Sequence, residues 1–260
     1  MIKKSRNTNK IAPVIAILLL LLVWQVVSGL NIVPSYMLPS PLEVVGAFIE
    51  DFSLLMYHAG ISLAEAFVGL GIAVAFSFVL AFLMERFSPL YHAFYPLLVI
   101  TQTIPAVAIA PLLVLWFGYD MAPKIVLIFL VTFFPIVVGL LDGFRTADED
   151  AVRLLKTMGA SHRQIFFQVR LPASLPHFFS GLRIAVAYSV VGAVIAEWLG
   201  GFGGLGVYMT RVKNAYAFDE MFAVIFLITI VSLLLIYGVR LLQYVMMPWD
   251  RKVKEERKES

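Results

Sequence analysis

The run ISLAEAFVGLGIAVAFSFVLAFLM, residues 61–84, contains a single ionisable side chain, Glu65. It is long enough to cross a membrane, since a transmembrane helix needs about 20 consecutive apolar residues. Five similar runs occur, so the predicted spans are residues 11–30, 61–84, 90–116, 124–141, 182–198 and 221–239. Only helices and closed barrels satisfy their backbone in lipid, and the alternating pattern of a barrel is absent from the sequence. The sequence therefore predicts an all-α, polytopic membrane bundle of six transmembrane helices.

The composition supports the same class. Of the 260 residues, 61% are apolar, whereas a soluble domain averages about 45–50%. The net charge of +3 does not indicate nucleic acid, because the basic residues flank apolar runs instead of sharing one face. The first run is longer than a secretory h-region and is predicted to remain as an uncleaved span. Cysteine is absent, which excludes disulfides, thiolate metal sites and a cysteine nucleophile.

The positions of Lys and Arg predict the orientation. With the N-terminus in the cytoplasm, 17 of the 20 basic residues lie on the inner side, and Lys124, Arg211 and Lys213 lie on the outer side. The reverse orientation would violate the positive-inside rule almost completely. We therefore expect a multi-pass membrane protein with both termini cytoplasmic. Residues 1–10 and 248–260 would be cytoplasmic tails and 11–247 the membrane domain.

Two connections between spans carry structural signals. On the outer side, Ser40-Pro41 predicts the start of an interfacial helix whose apolar residues Leu42, Val45, Phe48 and Ile49 share one face. On the inner side, residues 142–183 form the longest connection. Within it, residues 148–176, DEDAVRLLKTMGASHRQIFFQVRLPASLP, predict a helix, a glycine turn, a second helix and an end at the two prolines. Such an element would project from the membrane as a rigid knob suited to docking.

These inner residues resemble the EAA loop of ABC importer permeases. Gly159 matches the loop's glycine, and Val169 with Leu171-Pro172 matches its end. Further similarity lies in LPSPLEVVGAF at 38–48, TQTIPAVAIAPLLVLWFG at 101–118 and AEWLGGFGGLGVYM at 196–209. The pattern is similar to the nitrate, sulfonate, taurine and pyrimidine branch. RLLKTMGAS favours its thiamine-precursor (hydroxymethylpyrimidine) members.

The resemblance implies a type I ABC importer permease fold, a location in the bacterial inner membrane and a set of partners. These are a cytoplasmic ABC ATPase, an extracytoplasmic solute-binding protein and a second permease copy, most simply a homodimer in membrane lipid. ATP and Mg would bind to the ATPase, since this chain has no GxxxxGK motif and is expected to hold no cofactor. The solute would be small and polar: a thiamine-related pyrimidine, a sulfonate, taurine or nitrate.

The resemblance also assigns residues to ATPase coupling. The chain departs from the family pattern, because Arg153, Leu154 and Leu155 occupy the Glu-Ala-Ala positions. The candidate coupling residues are Arg153, Leu154, Leu155, Met158, Gly159, Ala160, Ser161, Arg163, Leu171 and Pro172. The alternative is an ordinary amphipathic connector without a docking role.

Four residues are candidates for the translocation pathway. Thr101, Gln102 and Thr103 lie inside an apolar span near Pro105, where polar groups either line a cavity or join helices. Glu197 would line the path or hold an outer gate; alternatively its carboxylate reaches the interface beside Trp198. The glycines between residues 200 and 206 are interpreted as a flexible outer turn.

Other functional classes fit the sequence less well. The four histidines, His58, His92, His162 and His177, share no ligand spacing, so no metal site is expected. An ion-coupled secondary transporter would need ionisable residues near the bilayer midplane, and a membrane-embedded enzyme would need a catalytic cluster. The spans offer neither, so we expect a non-catalytic transport subunit.

Overall fold

The computed structural model describes residues 8–30, 32–34 and 37–249. Residues 1–7 and 250–260, most of the two predicted tails, lie outside this part of the chain. The helices are α1 (Thr8–Gly29), α2 (Pro41–Glu50), α3 (Phe52–Arg86), α4 (Ser88–Thr103), α5 (Ala106–Phe117), α6 (Met121–Arg145), α7 (Glu149–Thr157), α8 (His162–Ile165), α9 (Leu171–Trp198), α10 (Leu205–Asn214) and α11 (Phe218–Met246). A π-helical turn, Phe166–Arg170, joins α8 to α9.

The described residues confirm the all-α membrane bundle. Five helical segments are long and apolar enough to cross a bilayer, and α4 with α5 supplies a sixth span if the bent pair is counted as one. This predicted third span is not a continuous helix. It bends by 98° at Ile104-Pro105, where Ile104 has an extended backbone with ψ 121°. Proline lacks an N–H and disfavours the α conformation in the residue before it, which explains the break.

The core lies among α3, α6 and α9. Ile136, Leu140 and Phe179 are fully buried there. α6 and α9 approach each other closely through glycines: a Cβ added to Gly139 would lie 2.8 Å from the carbonyl oxygen of His177. In lipid the hydrophobic effect does not drive helices together, so they associate through close van der Waals packing. Small residues such as glycine make that close packing possible.

The first two helices lie at the periphery. α1 exposes most of its apolar side chains and is attached through Trp24, which stacks against Phe226 at 5.8 Å between ring centroids. α2 begins as predicted, with Ser40 and Glu43 forming a capping box. Its buried residues are Val44 and Ala47. Of the predicted apolar face, Leu42, Val45 and Ile49 are exposed, as an interfacial helix requires, whereas Phe48 is half-buried and packs against the protein.

The prediction that Pro172 and Pro176 end the second loop helix is wrong. α8, the π turn and α9 form one continuous helical segment from His162 to Trp198. In the π turn the Leu171 N–H bonds to the Phe166 carbonyl, five residues back. Pro172, which has no N–H to donate, directly follows this wider turn, and Pro176 lies inside α9, so neither proline ends the helix.

Candidate functional site

The projecting loop begins with a well-capped helix. The Asp148 carboxylate accepts hydrogen bonds from the backbone N–H groups of Asp150, at 2.9 Å, and Ala151. Acidic residues in the first turn of α7 and Lys156 in its last turn complement the helix dipole. Arg153 forms an exposed ion pair with Glu149 on its own helix, at 3.2 Å. Arg153, which stands where the family pattern has glutamate, is thus paired within the chain.

Gly159 ends α7 in a Schellman motif. Its N–H bonds to the Lys156 carbonyl at 3.0 Å, and the Ala160 N–H bonds to the Leu155 carbonyl at 2.9 Å. Gly159 has φ +81°, a left-handed conformation that side-chain-bearing residues rarely adopt. A Cβ at this position would touch no other atom within 4 Å. The requirement for glycine is therefore one of backbone conformation and not of space.

The tip of the loop is exposed and partly apolar. Ser161 caps α8, since its N–H bonds to Gln164 Oε1 at 2.7 Å and its hydroxyl accepts from the Gln164 N–H. Met158 is 74% exposed and Leu154 is 61% exposed. Exposed apolar side chains on a rigid, capped turn are typical of a surface that a partner covers.

The loop is fixed to the membrane helices at its base. The Phe166 ring contacts Phe82 of α3 at 4.8 Å and Phe144 of α6 at 5.4 Å between centroids. Arg170 of the π turn forms an ion pair with Glu85 of α3. The base of the loop therefore joins α3, α6 and α9.

The candidate coupling residues divide into two groups. Most lie exposed at the tip: Arg153, Leu154, Met158, Gly159, Ser161 and Arg163, with Ala160 half-buried beside them. Leu155, Leu171 and Pro172 are also half-buried. Leu171 packs against the main core at the base of the loop, away from the exposed surface of the tip.

The pathway candidates of α4 lie together at the bend. Thr101, Gln102 and Thr103 are all exposed. The two threonine hydroxyls donate to carbonyls of their own helix, at 2.7 and 2.8 Å. The Gln102 side chain is exposed at the same break and has no such bond to its own helix. In membrane proteins, irregular backbone is tolerated where it is buried in protein or lines a water-filled cavity.

Glu197 is 1% exposed and forms hydrogen bonds inside the protein. Ser62 Oγ donates to its carboxylate at 2.6 Å, and the Gly206 N–H donates to its other oxygen at 2.6 Å. The carboxylate does not reach the interface, although the adjacent Trp198 is exposed. In this conformation it joins α3 and α9 to the start of α10.

The glycine-rich segment, which the sequence predicts as a flexible turn, is hydrogen-bonded to buried side chains where it enters α10. The N–H of Gly204 donates to His58 Nδ1 at 3.1 Å, and that of Leu205 donates to Ser62 Oγ at 2.8 Å. With the bond from Gly206 to Glu197, three consecutive N–H groups at the N-terminus of α10 are bound by buried side chains. Gly204 has φ +117°, and a Cβ there would collide with the Glu197 carboxylate, so only glycine fits.

A buried ion pair completes a cluster of His58, Ser62, Glu65, Lys124 and Glu197, called the outer cluster because the basic residues predict that this end of the bundle faces outward. Lys124 Nζ lies 2.6 Å from Glu65 Oε1, and both side chains are about 95% buried. A Cβ on Gly201 would lie 3.0 Å from Lys124 Nζ, so the ammonium group also touches the glycine segment. In the described ranges, no group of three or more His, Cys, Asp or Glu side chains is arranged to hold a metal ion.

Comparison with known families identifies the architecture. Residues 67–252 match the model of the binding-protein-dependent transport system inner membrane component. The chain belongs to this family. It is a membrane-spanning, non-catalytic transport subunit of an ABC importer for small solutes, so the ion-coupled secondary transporter and the membrane-embedded enzyme do not apply.

Relatives of this permease extend over nearly its whole length. It is 37% identical over 249 residues to the formylaminopyrimidine transport permease protein ThiX of Halalkalibacterium halodurans, covering 95% of this chain and 99% of the relative. It is 30% identical over 242 residues to the taurine transport system permease protein TauC of Escherichia coli, covering 90% and 88%. A solved amino acid ABC transporter shares the fold, with a TM-score of 0.54, 14% identity and coverage of 76% of this chain and 95% of that one.

The sequence of this permease did not lead to the prediction that the residues of the outer cluster lie together. It singled out Glu65 and Glu197 as ionisable groups within spans, but it treated Lys124 only as an outer-side charge and His58 as isolated. The available signal was a cation and two carboxylates near the outer ends of three apolar spans. Buried charges are normally paired, which points to a common site.

Proposed function

We propose that this chain is the permease of an importer for a thiamine-related pyrimidine delivered by an extracytoplasmic binding protein. The observation that carries the proposal is the 37% identity to a formylaminopyrimidine permease over almost all of both chains. Relatives named for sulfonates and taurine are 30% identical, and one named for nitrate is 28% identical. These solutes remain the competing candidates.

The working unit would contain two copies of this chain and two cytoplasmic ATPase subunits that bind ATP and Mg. The rigid, partly apolar tip around Met158 supports docking to the ATPase, because it exposes apolar surface on a well-capped turn. The excess of basic residues on the loop side supports cytoplasmic termini.

Transport would proceed by alternating access. Closure of the ATPase pair on ATP would displace the loop tip, and the base at Phe166 and Arg170 would pass the movement to α3, α6 and α9. The solute would then move from the binding protein into a cavity between the two copies. Gln102 and the adjacent threonines at the α4–α5 bend would face the solute, and Glu197 would hold the outer segment closed until α3 and α9 move apart. None of these steps requires covalent chemistry.

Substitution of Gly159 tests the coupling role. Gly159→Arg places a large side chain at φ +81° on the docking tip, and we expect uptake to be lost while membrane insertion is retained. Gly159→Asn serves as the matched control, because asparagine tolerates the left-handed region better than other side chains. Uptake and ATPase stimulation in proteoliposomes containing the complete importer measure the effect. Normal uptake by Gly159→Arg would contradict docking through this tip.

A competition assay tests the solute. Proteoliposomes with the importer and its binding protein should accumulate labelled formylaminopyrimidine in the presence of ATP. Excess unlabelled hydroxymethylpyrimidine should suppress the signal, whereas taurine and nitrate should not. Suppression by taurine or nitrate alone would assign the protein to another branch and leave the coupling proposal intact.

A further inference from the structure

A cavity of about 370 Å³ lies where α3 meets the projecting loop. Its basic lining residues are Arg86, Lys156, His162, Arg163 and Arg170. Among the described residues, the only acidic one in the lining is Glu85, and it is paired with Arg170. Arg86, Lys156 and Arg163 come from three separate helices, and the part of the chain that the structure describes offers them no further carboxylate in this wall.

The remaining wall of this cavity is apolar. It consists of Phe82, Phe87, Ile165 and Phe166. Phe87 is 47% exposed, which places an aromatic ring at the end of a membrane span, the level at which such rings mark the interface. The cavity thus combines cationic groups with an apolar wall at the depth of the lipid headgroups.

An exposed apolar stripe of α3 leads into the cavity. Ile72, Phe76 and Val79 are each roughly half exposed, and their spacing of four and three residues places them on one face of the helix. Arg86 lies seven residues, two turns, beyond Val79 on the same face. A ligand with a charged head and a long apolar chain would match this arrangement along its whole length.

We infer that the cavity binds an anionic phospholipid. Its phosphate would lie between Arg86, Lys156 and Arg163, and an acyl chain would extend along Ile72, Phe76 and Val79. Basic pockets at the ends of transmembrane helices on the cytoplasmic side attract anionic headgroups. The bound lipid would connect the end of α3 to both helices of the loop. The inference does not depend on the solute or on the direction of transport.

Lipid retention by the purified full-length protein tests the inference. The protein is transferred from nanodiscs containing equal amounts of phosphatidylglycerol and phosphatidylcholine with identical chains, and bound lipids are counted by native mass spectrometry. Wild type should retain phosphatidylglycerol preferentially. In the double variant Arg86→Gln/Lys156→Gln that preference should fall roughly 30-fold. Each cation near the membrane surface contributes about 1 kcal/mol to anionic lipid binding, and two such losses correspond to this factor. Arg86→Lys/Lys156→Arg, which keeps both charges, should retain most of it.

The pair Arg211→Gln/Lys213→Gln is the matched control, because these exposed cations lie at the opposite end of α9. It should bind lipid as the wild type does. Equal retention of the two lipids by wild type, or equal loss in the control, would overturn the inference. It would also be overturned if millimolar inorganic phosphate displaced the lipid, which would indicate a site for a free anion. Loss of the lipid when the ATPase binds would also overturn it, because acidic side chains of the ATPase would then occupy the cavity in the assembled importer.

Discussion

Lys124 and Glu65 form a buried ion pair near the end of the bundle that is predicted to face outward, with N and O atoms 2.6 Å apart. The second oxygen of Glu65 has no hydrogen-bond partner among the described residues. A buried pair of this kind adds little net stability compared with an apolar pair, but breaking one side leaves an uncompensated charge. The role we assign to the cluster is therefore to fix the outer segment in one position.

Removal of the cation tests this role. Lys124→Met should lower the free energy of unfolding by about 3–5 kcal/mol, because the Glu65 carboxylate is left buried without its partner. The midpoint of thermal unfolding in detergent measures the loss. Adding Glu65→Gln to the same chain should restore much of the stability, whereas the exposed Lys213→Met should have little effect. A Lys124→Met protein as stable as wild type would show that the pair is not needed.

At the scale of elements, local signals predicted some helices well and others poorly. Capping signals are local, so the start of α2 at Ser40 was predicted from sequence and is present, and Ser161 caps α8 in the same way. The prolines were harder to interpret. Pro105 accompanies a break of 98°, whereas Pro172 lies within a continuous helical segment. The difference depends on the π turn before Pro172, which has no clear sequence signal.

The bend between α4 and α5 gives a prediction about solute recognition. Gln102→Leu should raise the KM for solute by roughly 2- to 10-fold with a smaller effect on kcat, because it removes one neutral hydrogen bond to the bound solute. Uptake as a function of solute concentration measures it. Gln25→Leu, a half-buried glutamine in the apolar α1, is the matched control. An unchanged KM in Gln102→Leu would exclude this amide from the pathway.

At the scale of the whole molecule, the projecting loop and α10 lie at opposite ends of α9 and must therefore face opposite sides of the membrane. The basic residues predict the loop on the cytoplasmic side. Because the chain contains no cysteine, single introduced cysteines report on their sides without a background. We expect Lys213→Cys to react with an impermeant maleimide in spheroplasts. Met158→Cys should react only in inverted vesicles, and the reverse pattern would overturn the orientation.

The sequence by itself determined the class of protein, the approximate spans and the helix–turn–helix of the loop. Hydropathy and capping act over a few residues, so these features are readable without knowledge of the fold. The tertiary structure alone decided the angle of the α4–α5 bend, the continuity of α9 and the pairing in the outer cluster. Ser62 and Glu197 are 135 positions apart, and Glu65 and Lys124 are 59 apart. Such groups share a site only because α3, α6 and α9 pack closely enough to exclude water and lipid, and that packing makes each buried charge require its partner.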